Sequence, residues 1–389
     1  MRKINALWFF DKFAIFFIFL CVFAFDFVFV GIRLRYLVLM CLLFLTPILC
    51  KDELKNKNVI NFLFLVLFFY TILTGYSIFV KGNDIENVVF FIKPFMIFAL
   101  IPCYTLLFNK YGAERYMKFF LLFVLLLVGM FVYVLVQTIE TPGYGLRLND
   151  EQGLILVAVY DFLPRIVIKT FVFLIPAAAF LISKYNGIKM HLCCLIMIIF
   201  ALLSMTIGLV VAIICVYCAV LLFQKKRKEL LPLIVVGFMG LILYTTVLNE
   251  TVFTTKESSA DYKTDQMKNF SKDMGGIDLI FGRGIGCEFN DFDSRHVKDY
   301  IIEVAAVVVF QSGGLLFSLL FLYAYIGPAI MGVLYSKDHF LQMLSISQIG
   351  LFISSLSNPY IWGGTVGLLF VVFIVAYQSS CKKIQFGHE

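Results

Sequence analysis

The chain has 389 residues, of which 61% are hydrophobic and 15% charged, whereas soluble domains run at about 45–50% apolar and about 25% charged. That composition excludes an ordinary soluble domain and points to a chain whose solvent is lipid. The net charge of +7 does not mark a nucleic-acid binder, because the positive residues sit in short segments between apolar runs, the pattern that orients membrane proteins.

Apolar runs recur along nearly the whole length, and about 18 or more such residues can cross roughly 30 Å of hydrocarbon as a helix. No period-two alternation of a barrel is evident. The expected fold is all-α, a single polytopic membrane domain over 1–389 with about twelve spans. They are expected near 13–32, 36–50, 59–80, 88–108, 117–138, 162–183, 190–204, 207–223, 230–248, 300–326, 340–357 and 361–378. The first run lacks a small-residue cleavage site and is expected to be retained as a span. The seventh and eighth are separated only by "SMTIG" at Ser204 to Gly208. Splitting them puts 18 of the 32 basic residues on inner segments, against seven on the short outer segments and seven on the one long outer loop. Merging them would carry "KKRK" at Lys225–Lys228 outside, against the positive-inside rule.

The long loop runs from 249 to 299, between spans nine and ten, and is expected to face the periplasm. Loops of that length are usually functional. A second polar region, Gln137 to Phe171, carries turn residues at Pro142, Gly143 and Gly145 and reads as a peripheral or re-entrant segment on the same face. No 20–50-residue repeat is present, nor a pair of matching broken helices of the inverted-repeat kind. Cys215 and Cys218 form a C-x-x-C inside an apolar run, where cysteine acts as a small hydrophobe.

Several polar residues fall where they are costly. Asp161, Arg165 and Lys169 follow at i, i+4, i+8, which would align them on one helical stripe. They form either an interfacial salt-bridge ladder or, with Arg147, a cationic lining for an anionic head group. Arg283 lies in "GRGIG", a plain turn or a place where backbone N–H groups approach an oxyanion. Arg295, His296 and Glu303 follow toward span ten. Glu303 is either structurally paired with Arg295 or Lys298, or a general base. A lone outer histidine does not make a metal site, and there is no Walker loop or nucleophile elbow. Nucleotides are absent outside the cell, so a synthetic reaction there needs a substrate that already carries its leaving group.

In three patches the chain resembles the O-antigen polymerase (Wzy) family and the related O-antigen ligases (WaaL), membrane glycosyltransferases of GT-C-like type. The first is "GRGIG", a polar stretch, then an ionisable residue entering a helix that reaches Gly313–Gly314. The ligases show H-[NSQ]-x9-G in this frame; here Glu303 and Val304 replace the first two residues and Gly314 ends it. That replacement favours a polymerase. The other patches are "LLSMTIGLVVAIICVY" from Leu202 and "SNPYIWGGTVG" from Ser357. The resemblance implies a metal-independent enzyme of the bacterial inner membrane, without cofactor. It would join undecaprenyl-pyrophosphate-linked oligosaccharides, as donor and acceptor, at the periplasmic face. Glu303, with His296 behind it, would be the base. Arg147, Arg165, Lys169, Arg283 and Arg295 would hold the pyrophosphate. Its partners would be this substrate, membrane lipid and a chain-length regulator protein; nucleic acid is not one. The alternatives are a ligase onto lipid A-core, and a transporter, flippase or membrane acyltransferase.

Overall fold

A computed structural model describes residues 28–29, 32–140, 155–159, 164–204, 206–229, 268, 274–288, 305–356, 367 and 369–378. These are mostly helical. The ninth expected span (230–248), most of the first and most of the long loop lie outside the described residues.

A two-residue strand pair, β1 (Val28–Phe29) and β2 (Ile32–Arg33), leads into α1 (Leu34–Leu49). α2 (Lys57–Gly75) starts where the Asn56 side chain accepts from the Asn58 N–H, satisfying a donor that the first turn leaves open. It ends in a π-helical turn, Tyr76–Val80. α3 (Ile85–Ile92) is capped by Asp84, whose carboxylate accepts from Glu86 N–H. It passes through a 3-10 stretch, Lys93–Leu100, into α4 (Ile101–Glu140). At Gly112, with φ 72, the α4 backbone leaves the helix. Phe108 and Tyr116 then meet with ring centroids 5.0 Å apart, and Tyr104 and Tyr116 at 6.3 Å. Twelve residues of continuous helix would separate that second pair by about 18 Å, so the chain reverses at Gly112, between the expected fourth and fifth spans.

The expected sixth span begins differently from its sequence pattern. The strands β3 (Ile155–Val159) and β4 (Pro164–Ile168) pair antiparallel, with Arg165 opposite Ala158. Helix begins only after this pair, as α5 (Leu174–Lys184). Val, Ile and Leu dominate 154–168, and such β-prone apolar runs are ambiguous between strand and helix by periodicity.

α6 (Ile188–Leu203) and α7 (Ile207–Phe223) are separate helices broken at Ser204–Thr206. Tyr217 of α7 reaches back to His191 of α6, so the two run antiparallel, as the split reading requires. After a single-turn helix α8 (Asp278–Phe281), α9 (Ala305–Tyr335) and α10 (His339–Leu356) form another pair, and α11 (Leu369–Gln378) completes the described chain. Among the described residues, four helical stretches are long and apolar enough to cross a membrane: Lys57–Val80, Ile85–Glu140, Ala306–Tyr335 and His339–Leu356.

α10 is the central helix: 67% of its apolar stretch is buried, against 11% for Lys57–Val80. Its small residues allow this. A Cβ on Gly350 would lie 2.5 Å from Val216 Cγ2, so α10 and α7 touch at backbone distance, as small residues permit between helices in lipid. The buried hydroxyls of Ser345, Ser347 and Ser355 return to the carbonyls four residues back, at 2.7, 2.6 and 2.8 Å.

The turns fall at two ends. Phe340, opening α10, packs on Phe108 and Tyr116 beside Gly112 and stacks on Phe180 near the end of α5. The turns at Gly112, after α5, before α6, after α7 and between α9 and α10 therefore share one end, which carries Lys110, Arg115, Lys184, Lys189, Lys225 and Lys337. The segment of α9 from 315 to 335 spans about 31 Å, which carries its upper part to the other end, where residues 76–87 and 282–286 lie.

Candidate functional site

The best-defined polar cluster of the described residues forms where residues 278–288 of the long loop meet the helices. α9 is broken at Gly314, whose φ of 63 and ψ of −162 lie outside the helical region. A helix broken there leaves the carbonyls just before the break without their usual donors. The Arg283 N–H donates to the Gln311 carbonyl at 2.7 Å and the Gly284 N–H to the Ser312 carbonyl at 3.1 Å. The loop thus supplies the donors that α9 gives up.

The other side of the loop is held by the turn between α2 and α3. Tyr76 donates its hydroxyl to the Gly282 carbonyl at 2.8 Å. One amide, Asn83 Nδ2, donates to the carbonyls of both Arg283 and Ile285 at 3.0 Å. The Ile285 N–H donates to buried Ser77 Oγ at 2.9 Å. Ser77 sits inside the π-helical turn, a feature frequent at functional sites. Asn87 donates to Glu288, and Gln311 donates to Cys287 Sγ. Lys81 and Asp278 pair at 2.5 Å. The carboxylate holds the Lys81 ammonium above the ordinary lysine value, against the opposing effect of burial.

Glycine is required at these contacts. Gly282, Gly284 and Gly286 have φ of 78, 83 and 73. A Cβ on Gly282 would lie 2.5 Å from Gly313 N, and one on Gly286 2.7 Å from Val88 N. A Cβ on Gly314 would overlap the Ile280 backbone. "GRGIG" is therefore a wedge between α3 and α9. Its Arg283, Gly284 and Ile285 N–H groups are spent on Gln311, Ser312 and Ser77, so the reading in which these amides cradle an oxyanion is corrected in favour of the turn.

Of the residues singled out from the sequence, Arg283 is described and half-buried on this wedge. Arg165 lies on strand β4 and Lys169 opens the 3-10 turn that follows. The expected helical stripe through Asp161, Arg165 and Lys169 is thus replaced at Arg165 by extended backbone, because strand β4 takes up its segment. Arg147, Asp161, Arg295, His296 and Glu303 lie outside the described residues. In sequence, Glu303 precedes the first residue of α9, Ala305, by two positions.

Sequence reasoning missed Tyr76, Ser77, Asn83 and Asn87. The available signal was the turn "KGNDIEN" at 81–87, where Gly, Asn and Asp cluster between two apolar runs. It marks a turn, but nothing local names its partner some 200 residues away. Comparison with known protein families, curated proteins and solved structures returned no match.

Proposed function

We propose that the protein is a surface-polysaccharide polymerase of the inner membrane, a bundle of about twelve spans with its site on the periplasmic face. It transfers a growing glycan from undecaprenyl pyrophosphate onto the next lipid-linked repeat unit. The observation that carries this reading is the Arg283 wedge. Within the one long polar loop, Arg283 and Gly284 are fastened by backbone hydrogen bonds to α9, whose first described residue, Ala305, stands two positions after Glu303 in the sequence. Around the wedge, Phe79, Val80, Ile277, Ile280 and Phe281 are exposed apolar side chains, which suits a boundary that a polyprenyl substrate must approach from lipid.

In the reaction, an acceptor hydroxyl attacks the anomeric carbon of the donor glycan. The new C–O bond forms as the bond to the pyrophosphate oxygen breaks, and undecaprenyl pyrophosphate departs. Glu303 takes the hydroxyl proton, with His296 as the second candidate for that role. Arg147, Arg165, Lys169, Arg283 and Arg295 stabilise the charge that develops on the leaving diphosphate, a task for which the planar guanidinium is suited. General-base assistance is worth about 10²–10⁴-fold in rate, so its loss is measurable as chain length.

Deleting the gene should leave surface glycan as single repeat units on lipid A-core. Complete absence of glycan would assign a ligase or flippase instead, and an unchanged long-chain ladder would end the proposal. E303Q should abolish chain growth in protein that still inserts, whereas a persisting ladder would remove Glu303 from the mechanism. R165K, which keeps the charge but loses the fork, should shorten the ladder.

A further inference from the structure

We propose that the corner formed by the end of α5, the start of α6 and the segment after α7 binds the head group of an anionic phospholipid. α7 stops at Phe223, and Lys225 takes a φ of 58, a left-handed conformation uncommon for any residue but glycine. Three side-chain links hold the following strap in place. Gln224 Nε2 donates to the Ser183 carbonyl at 3.1 Å, the Lys226 ammonium donates to Asn186 Oδ1, and Glu229 meets His191 Nε2 at 2.7 Å. The other ring nitrogen of His191 is engaged by the hydroxyl of buried Tyr217. The strap is therefore tied down at both ends.

The links bring cations together. Lys184 follows Ser183, Lys189 lies two residues before His191, and Lys225 and Lys228 belong to the strap; all four are exposed. Among the described residues, Lys189, Lys225 and Lys228 form no ion pair. The one carboxylate on the strap, Glu229, is directed to His191. Next to this rim, Ile188, Leu192, Leu222 and Phe223 present exposed apolar side chains. Positive charge above apolar surface matches, in order, a negative head group and its acyl chains. A soluble polyanion would use the lysines but leave the apolar belt without a partner, which is why the lipid is favoured.

The test uses the purified full chain in neutral detergent. Adding phosphatidylglycerol or cardiolipin should raise Tm by at least about 3 °C, and phosphatidylcholine should not. The rise should fade as salt increases, since exposed charges are screened within about 10 Å at 0.1 M. K225Q/K228Q should lose the rise while keeping the Tm of the parent in neutral detergent. K337Q, at the same end but outside the corner, should keep it. The proposal is overturned by an equal rise with phosphatidylcholine or by a rise retained in K225Q/K228Q. A rise reproduced by inorganic phosphate or pyrophosphate would also overturn it, assigning a soluble anion.

Discussion

Where the 282–286 wedge meets α9, backbone bonds to backbone across glycines; where the 224–229 strap crosses α5 and α6, every cross-link involves a side chain. The first arrangement has no slack. Positive φ and nearest contacts of 2.5–2.8 Å from a would-be Cβ leave room for glycine alone. The second has slack, because long flexible side chains can find water when a partner is removed. A rigid end suits a site whose groups must be held against a reacting bond, and a tolerant end suits contact with fluid lipid.

The sharpest way to break this contrast is G282A. It forces a methyl toward Gly313 at a φ of 78, and strained left-handed backbone alone costs of order 1–3 kcal/mol before the clash is added. Folded yield, read by size-exclusion chromatography, should collapse; normal yield would show that the wedge can yield. N83A comes next. It strips the carbonyls of Arg283 and Ile285 of a shared donor, with an expected loss of about 1–3 kcal/mol, measured as a fall in Tm.

K81M should cost less, about 1 kcal/mol, since Lys81 and Asp278 are partly solvated. Its pH dependence has a definite sign. The folded-state pKa of Lys81 is raised by Asp278. The stabilisation is therefore fully present below the unfolded lysine value of about 10.4 and is lost as pH rises through the higher folded value. The Tm gap between K81M and its parent should thus hold constant from neutral pH to about 10 and narrow above it. The smallest effect is expected at the other end, where E229Q should lower Tm by the equivalent of about 0.5 kcal/mol. A fall as large as that of N83A would erase the distinction between the two ends.

Much of the fold is legible from local pattern. The chain reversal at Gly112 falls in a polar segment with Lys110 and Arg115 between two apolar runs, and the break at Ser204 was recoverable from charge placement. The pairing of β3 with β4 was not. A continuous apolar run reads equally as buried strand or helix, and the i, i+4, i+8 spacing of Asp161, Arg165 and Lys169 favoured the wrong one. At the site, "GRGIG" was visible as a turn, whereas the expected tenth span ran unbroken from 300 to 326 through Gly314, where the structure breaks the helix. Their mutual contact was invisible, because identical glycines would serve any close backbone approach.

Composition and apolar run length by themselves dictated a membrane-embedded helical chain, because transfer into lipid is nearly additive along a segment and can be summed locally. Only the tertiary structure decided that Ser77, Asn83, the 282–286 loop and the break at Gly314 meet. Hydrogen bonds between groups 28 to 208 residues apart depend on which helices pack together, and that choice is carried by no single segment.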